Sequence, residues 1–383
     1  MERGNGMDDA RAVGHELTPI LEKVLGGERL GSSDLLRLYR HPDLTAVGYL
    51  ANLVRERMHG DRAYYIRNQH INYTNICNKH CKFCYFAKSP RDGGPSPYLM
   101  SLEDVRGALR RHADVPITEV HIVGGIHPKL PYAYYLDLLR VVREERPGVH
   151  IKAFTAVELD EIARVARKDL GEVLEDLKAA GLASVPGGGA EVLSDRVHAL
   201  VHPTKIGPDR WVEVARAVAA AGLPQYATML YGHVETVEER VGHLLRLRDL
   251  QDEVGNFLAF TPLSFHPEST YLDHLPAPTG EDDLRAIAVA RLALDNFAHI
   301  KSFWIMNTAQ VSQIALWYGA DDLDGTVHEY EITYPEGKIG DKRQVLTRQR
   351  LTRMIEEAGR LPIERDSHYR EVRLLDAAAA GRA

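Results

Sequence analysis

The stretch Cys77-Asn78-Lys79-His80-Cys81-Lys82-Phe83-Cys84 contains all three cysteines of a 383-residue chain. Three thiolates on one short loop can bind a single inorganic centre, and soft thiolate ligands select iron–sulfur clusters, zinc or Cu(I). Three protein ligands leave one position of a tetrahedral site open, which is typical of a catalytic centre. The spacing therefore predicts a reactive metal or cluster site at Cys77, Cys81 and Cys84.

Other interpretations of the cysteines stay open from the residues alone. A structural zinc site could take His80 or His70 as its fourth ligand, the centre could be a non-catalytic electron-transfer cluster, or the cysteines could be unrelated and buried. An alternating run from Tyr64 to Tyr73 precedes them and predicts a β-strand. The cysteines would then follow the carboxyl end of a strand, where barrel enzymes carry their chemistry.

Composition excludes several classes of protein. The formal net charge of −7 provides no basic field for nucleic acid or an anionic membrane. Met1 to Asp9 lacks the apolar core of a signal peptide, and no run approaches the roughly 18 to 20 apolar residues that span a bilayer. An odd number of clustered cysteines fits a reducing compartment. We expect a cytoplasmic protein without nucleic-acid or membrane partners.

Three regions follow from the patterns along the chain. Residues 1–60 predict a helical extension, with helices at Val13 to Leu25 and Leu44 to Met58. Residues 61–320 alternate strand-like and helical patterns. Residues 321–383 predict a closing strand or flap near 325–333, a terminal helix near 345–359 and a frayed tail from Ala377.

The central region has repeated strand–helix units. Strands are predicted at Ile117 to Val123, His150 to Phe154, Leu182 to Val185, Tyr226 to Leu230, Asn256 to Thr261 and Lys301 to Met306. Ser101, Thr236 and Thr279 each begin a capping-box pattern before a helix. Repeated βα units require a parallel sheet, so the sequence predicts an α/β fold of the (β/α) TIM type, complete or partly open.

The cysteine array, with the aromatic Phe83 before its last cysteine, resembles that of the radical S-adenosylmethionine (SAM) superfamily. The resemblance implies that Cys77, Cys81 and Cys84 bind a [4Fe-4S] cluster and that SAM chelates its fourth iron. An electron, from reduced flavodoxin or ferredoxin, would cleave SAM to methionine and a 5′-deoxyadenosyl radical. The cofactors carry the difficult chemistry, and the protein positions them.

The resemblance also implies further cofactor-binding residues. Gly124 and Gly125 would contact the SAM amino group through their backbone, although Ile126 replaces the usual glutamate of this motif. Glu191 and Arg196, after the glycine run 187–189, would contact the SAM amino acid moiety, and Phe83 and Glu158 complete the predicted set.

Polar residues at other predicted strand ends are candidates for catalysis. His127, Lys152 and His233 are the chosen residues, and His266 lies in a similar position. Histidine exchanges protons near neutral pH, and lysine can hold a substrate carboxylate.

Several phrases resemble the aminofutalosine synthase family, including GGIHP at 124–128, PLSFHP at 262–267 and GTVHEYEIT at 325–333. The resemblance extends from about Leu25 to Tyr369. It implies addition of the deoxyadenosyl radical to 3-[(1-carboxyvinyl)oxy]benzoate, aryl migration and loss of bicarbonate. The product would be 6-amino-6-deoxyfutalosine, a menaquinone precursor. Dehypoxanthine futalosine cyclase and FO synthase subunits are the alternatives among enzymes.

Overall fold

The computed structural model describes residues 6–87, 96–330, 332 and 345–372. Within these ranges the strands are β1 Arg62–Ile66, β2 Asn68–Ile71, β3 Glu119–Ile122, β4 His150–Ala153, β5 Gln225–Tyr231, β6 Phe257–Ser264, β7 His299–Ile300, β8 Asp322–Gly325 and β9 Leu361–Glu364. The predicted tail from Ala377 and part of the 325–333 segment lie outside the described residues.

The helices alternate with these strands over the central part of the chain. They are α1 Gly6–Gly26, α2 Ser32–Arg40, α3 Leu44–His59, α4 Leu102–Arg111, α5 Tyr132–Glu145, α6 Ala156–Ala166, α7 Leu170–Ala180, α8 Asp195–Val201, α9 Pro208–Ala220, α10 Val237–Val254, α11 Gly280–Ala293, α12 Trp304–Asn307, α13 Ala309–Ala315 and α14 Arg348–Glu357. None of the described helices is both long and apolar enough to cross a bilayer.

Every strand pair in the described sheets is parallel. The orders are β8-β1-β9, β2-β3-β4 and β5-β6-β7. Isolated parallel bridges connect the sheets: Lys152 with Ser184, Val185 with Gln225, and Lys301 with Asp322. Parallel strands covered by helices are buried on both faces, as the burial of β2 and β5 illustrates. The predicted α/β class and parallel sheet are confirmed.

Local sequence signals explain where several helices begin. The side chains of Ser101, Thr236 and Thr279 accept hydrogen bonds from backbone N–H groups three residues later, and the acidic residue there returns the bond. These capping boxes satisfy amides that would otherwise have no partner in the first turn. All three predicted helix starts are confirmed.

Three predicted strands are wrong in part. The run from Tyr64 to Tyr73 forms two strands, β1 and β2, and the pattern from Leu182 to Val185 forms only isolated bridges at Ser184 and Val185. The third case lies at the end of β7. The pattern Lys301 to Met306 predicted a strand, but β7 ends at Ile300 and α12 begins at Trp304. The reason is tertiary: the Ser302 N–H donates to the Asp322 carbonyl, and the Trp304 indole N–H donates to the Gly325 carbonyl. The chain is thereby held against β8 while it turns into a helix.

Segments before β1 and after β9 pack against the strands and helices of the central part. Helix α3 packs on α11, whose residues from Asp283 to Ala293 are all buried. After β9, the chain crosses the amino ends of the strands, where the Arg365 guanidinium donates to Asp322 and Ser367 Oγ donates to Glu119. The opposite end, at the carboxyl ends of the strands, therefore remains for a site.

Candidate active site

One pocket opens at the carboxyl ends of the strands and extends into the barrel. Its lining includes the sequence-predicted residues Cys77, Cys81, Phe83, Cys84, Gly124, Gly125, Lys152, Glu191 and His266. Much of the remaining wall is apolar, with Val123, Ile126, Val157, Leu230, Leu263, Phe265, Phe303 and Met306. The fold thus brings together residues that lie almost 200 positions apart in the sequence.

Backbone hydrogen bonds attach the cysteine loop to its neighbours. The Asn78 N–H donates to the Ile126 carbonyl (3.1 Å), and the Lys82 N–H donates to the Val201 carbonyl (2.8 Å). The Lys82 carbonyl in turn accepts from the Tyr271 N–H (2.9 Å). Three separate segments therefore fix the loop, which is what a site of defined geometry requires.

The environment of the sulfur atoms fits a cluster. Cys77 Sγ accepts a hydrogen bond from the Lys79 N–H (3.5 Å), and Cys84 Sγ accepts one from the Ala87 N–H (3.3 Å). Such bonds stabilise thiolate ligands and tune cluster potentials. Burial raises the pKa of the Cys81 thiol to about 12, so binding of a metal centre must displace its proton.

The spacing of the sulfurs also argues against one zinc ion. Among the described residues, the three cysteine sulfurs do not form a set with all ligand atoms within 4.8 Å of one another. Two ligands of one zinc ion, with Zn–S distances of about 2.3 Å, cannot lie more than about 4.6 Å apart. The sulfurs as placed here do not form the compact ligand set of one zinc ion.

Gly124 and Gly125 lie directly against the cysteine loop. A Cβ on Gly125 would be 2.5 Å from the Ile76 carbonyl oxygen, and a Cβ on Gly124 would be 2.6 Å from the Tyr73 ring. The Gly125 N–H also donates to the Thr74 carbonyl (2.8 Å). Any larger residue would push this loop away from the cysteines, so the glycines are needed for close packing.

Glu158 supports the glycine loop from behind and is not part of the pocket lining. Its Oε1 accepts from the Gly124 N–H (3.0 Å) and from the Tyr73 hydroxyl (2.9 Å). Its Oε2 accepts from the Thr155 N–H (2.7 Å), which completes a capping box at the start of α6. Burial raises the pKa of Glu158. The structure thus gives this residue a positioning role.

Glu191 lies in the pocket wall and forms a buried ion pair with Lys205 (2.5 Å). Burial alone would lower the pKa of Lys205, but Cys81 in its deprotonated, ligand-binding form and the Glu191 carboxylate raise it above its ordinary value. The Lys205 ammonium also lies 5.2 Å from the centre of the Phe83 ring. A permanent positive charge is therefore held beside the cysteine loop.

Arg196 lies outside the pocket. Its side chain is 48% exposed and forms an ion pair with Glu239. Its guanidinium also donates to the Val234 carbonyl (2.7 Å). Arg196 follows Glu191 closely in sequence, but the first turn of α8 directs it to the surface, and Lys205 supplies the cation at the pocket instead.

The candidate histidines have different surroundings. His233 has a fully buried side chain behind Phe83 and Phe265, with Nε2 3.1 Å from the Leu230 carbonyl and Nδ1 3.2 Å from Glu235. His127 is outside the lining, and its Nδ1 accepts from the Lys129 N–H (3.1 Å). His266 lines the pocket with Nε2 3.0 Å from the Met306 carbonyl. His127 and His233 as catalytic residues stay predictions.

Sequence reasoning missed several residues of the pocket. These include His121, Lys205, Tyr226, Lys301 and Asp324, whereas His70 was considered only as a possible zinc ligand. A usable signal was present for some of them: Lys301 and Asp324 are charged residues within or next to apolar strand patterns, where a charge needs a buried partner. Lys205 has no such signal, because only the turn after α8 returns it to Glu191.

Comparisons with known proteins agree with this site. Residues 71–247 match the model of the radical SAM superfamily, and residues 254–377 match that of the CofH/MqnC C-terminal region. Aminodeoxyfutalosine synthase of Thermus thermophilus is 44% identical over 94% of this chain and 97% of its own length. The enzyme of that name from Streptomyces coelicolor is 38% identical over 92% of this chain and 93% of its own length.

A solved structure supports the fold. The crystal structure of methylornithine synthase (PylB) matches with a TM-score of 0.71 at 18% identity, over 90% of this chain and 97% of the other. The chain therefore belongs to the radical SAM superfamily, with a TIM-type partial barrel, and within it to the family of the aminodeoxyfutalosine synthases. It is an enzyme whose cofactors are a [4Fe-4S] cluster and SAM.

Proposed function

We propose that this enzyme catalyses the aminodeoxyfutalosine synthase reaction of menaquinone biosynthesis. SAM, 3-[(1-carboxyvinyl)oxy]benzoate and water would give 6-amino-6-deoxyfutalosine, methionine and bicarbonate. The observation that carries the proposal is 44% identity to a protein of that name over nearly the whole chain, together with a pocket that unites the cysteines with buried cations. Radical SAM enzymes in general act on small molecules and require an electron donor.

The proposed roles of the residues follow from their positions. Cys77, Cys81 and Cys84 hold the cluster, which together with SAM supplies a 5′-deoxyadenosyl radical. The Gly124–Gly125 backbone and the Glu191–Lys205 pair flank the cysteines and bind the amino acid part of SAM. Lys205 takes the place that we predicted for Arg196, because it is a buried cation of the pocket that lies next to the cysteine loop.

The apolar wall has a second role in this proposal. Radicals react with water and with exposed side chains, so the reaction needs a dry enclosure. Val157, Leu230, Leu263 and Phe265 contribute to such a wall. Reduced flavodoxin or ferredoxin is the proposed electron donor, and residues 77–87 form the part of the chain that it must approach.

We also propose that the three sheets form one continuous strand layer, as a partial barrel of the TIM type requires. The parallel bridges at Lys152–Ser184 and Val185–Gln225 support this proposal because they connect β4 to β5 through residues 184 and 185, and the bridge at Lys301–Asp322 connects the sheet of β7 to that of β8. In the same proposal, residues 61–320 form the catalytic core, and residues 1–60 and 321–383 cover it as a helical extension and a closing segment.

The test is a reaction under anaerobic conditions. The reconstituted enzyme is mixed with SAM, a reductant and 3-[(1-carboxyvinyl)oxy]benzoate, and the products are identified by mass spectrometry. We expect a product that joins adenosine to the aryl ketone skeleton. The control is the same reaction without the reductant, which should give no coupled product.

Three results would contradict the proposal. Formation of 5′-deoxyadenosine without a coupled product would retain the radical SAM class but exclude this substrate. Turnover of dehypoxanthine futalosine instead would identify the cyclase reaction. If an enzyme with a full complement of iron formed neither 5′-deoxyadenosine nor a coupled product, both the synthase reaction and the cyclase reaction would be contradicted.

A further inference from the structure

Two buried lysines lie at the inner end of the pocket. Lys152 belongs to β4 and Lys301 follows β7, and each side chain contributes to the pocket lining while remaining only 4% exposed. Because both belong to the strand layer, they lie deeper than the loops that carry the cysteines and glycines. Buried ammonium groups are rare and require compensating charges.

Each ammonium group has one carboxylate partner. Lys152 Nζ is 2.6 Å from Glu119 Oε1, and Lys301 Nζ is 2.9 Å from Asp324 Oδ1. Both ammonium groups lie against the ring of Tyr226, at 4.8 and 5.1 Å from its centre. An ammonium group carries three N–H donors, so one carboxylate contact does not use its full capacity.

The two carboxylates differ in position. Glu119 is not part of the pocket lining, and its Oε2 accepts a hydrogen bond from the Ser367 hydroxyl (2.8 Å). It therefore compensates Lys152 from outside the pocket. Asp324 is part of the lining, so it occupies the space in which an incoming anion could contact Lys301.

His121 adds a third polar group to the same place. Its ring lies in the pocket lining, next to that of His70 at 4.6 Å between ring centres. Within the described part of the chain, His121 Nε2 is buried and has no hydrogen-bond partner. A buried ring nitrogen without a partner costs free energy, and a ligand oxygen or a polar ligand hydrogen would remove that cost.

We propose that Lys152, Lys301 and His121 form a carboxylate-binding subsite at the inner end of the pocket, and that it binds the benzoate carboxylate of the substrate. The choice between the two carboxylates of the substrate rests on the proposed function. The reacting double bond carries its own carboxylate and must lie near SAM at the cysteine loop. The benzoate carboxylate is on the far side of the aromatic ring and therefore extends inward.

The test uses binding without turnover. The cluster-loaded enzyme with SAM and no reductant is titrated calorimetrically with 3-methoxybenzoate and with the neutral 3-methoxybenzamide. We expect the wild-type enzyme to prefer the carboxylate by at least about tenfold, since charge-assisted hydrogen bonds are roughly twice as strong as neutral ones. Lys301→Met should remove most of this preference.

Asp324→Asn is the decisive second variant. Asp324 has a φ of 60°, a backbone conformation that asparagine also adopts readily, so the substitution preserves the local structure. It leaves Lys301 without its competing carboxylate, and we expect carboxylate binding to become tighter by several-fold. If the two residues formed only a structural ion pair, both variants would weaken the protein and neither would shift the preference.

Two results would overturn the subsite. One is equal binding of the acid and the amide to the wild-type enzyme, and the other is an unchanged preference in Lys301→Met. If Lys301→Met does not fold, Lys301→Met/Asp324→Asn removes both charges and is tested in the same way. If the anaerobic reaction gives the coupled product but the titrations give either of these two results, the proposed function is retained and only the subsite is rejected.

Discussion

Two groups of metal-binding residue types lie at opposite ends of the barrel. The cysteines follow the carboxyl end of β2, whereas His59, His299 and Asp321 lie near the amino ends of β1, β7 and β8, with one ligand atom of each within 4.8 Å of the others. By proximity alone, the second group would be the better metal site. Hydrogen bonding leads to the opposite conclusion.

His59 Nε2, His299 Nδ1 and both Asp321 carboxylate oxygens already have hydrogen-bond partners. Asp321 accepts from the Ile300 N–H (2.8 Å) and from His299 Nδ1 (2.6 Å), and it forms an ion pair with the buried Arg291. His59 Nε2 is 2.8 Å from the Ala298 carbonyl, so that nitrogen carries a hydrogen and cannot bind a metal. This end of the barrel serves stability, and the end with the cysteines serves chemistry.

The largest expected effect is on the cysteine end. Cys81→Ala removes one of three cluster ligands, so we expect iron content and reductive SAM cleavage to fall to background. Iron analysis and chromatography of 5′-deoxyadenosine measure both. His59→Gln is the matched control at the other end and should keep its iron. Full SAM cleavage by Cys81→Ala would contradict the assignment of Cys81 as a cluster ligand.

A second substitution tests the stability role of the opposite end. Asp321→Asn leaves Arg291 buried without its anion, so we expect the free energy of unfolding to fall by about 3–5 kcal/mol. Urea titration measures the loss. The iron content per folded chain should not change. A loss of bound metal with little loss of stability would mean that His59, His299 and Asp321 do hold an ion.

Much of this comparison could be predicted from the sequence, because its signals are local. The cysteine spacing predicted the cluster loop, and the capping boxes at Ser101, Thr236 and Thr279 predicted three helix starts that the structure confirms. Contacts over short distances in the chain decide these features. The α/β class followed from the alternation of the same local signals.

The features that could not be predicted depend on long-range contacts. Lys205 reaches Glu191 only because α8 and its following turn reverse the chain, and Lys301 meets Asp324 only because β7 and β8 are neighbours. The turn into α12 after Ile300 likewise depends on hydrogen bonds to β8. No pattern within a window of ten residues encodes these pairings.

The third prediction concerns the glycine loop at the cysteine end. Gly125→Ala places a methyl group 2.5 Å from the Ile76 carbonyl oxygen, next to Cys77. We expect a loss of about 1–3 kcal/mol in the free energy of unfolding and a partial loss of iron, because the cysteine loop must move. Urea titration and iron analysis measure both effects.

Gly242→Ala is the matched control for this glycine. It lies within α10, and a Cβ added there would meet no atom within 4 Å outside its own helical turn, so alanine should raise the free energy of unfolding by about 1 kcal/mol. If Gly125→Ala behaved like Gly242→Ala, the close packing of the two loops would not be required.

The smallest expected effect is a pH dependence behind the pocket. His243 is buried, its Nδ1 accepts from the Leu193 N–H (3.0 Å), and its Nε2 is 3.1 Å from the Thr228 carbonyl. Both contacts fit the neutral ring. Burial lowers the pKa of His243 from 6.5 to about 3, which is well below its value in the unfolded chain.

The direction of the effect follows from proton binding. Between pH 6.5 and about 3, the unfolded chain binds a proton at His243 that the folded chain does not, so stability falls as the pH falls through this window. Between pH 7.5 and 5.5 this residue should contribute a loss of about 1.4 kcal/mol in the free energy of unfolding. Urea titrations of the wild type and His243→Gln at both pH values isolate it, since the other buried histidines affect both proteins equally. An identical pH dependence in the two proteins would show that folding does not lower the pKa of His243, and its two hydrogen bonds would then need another explanation.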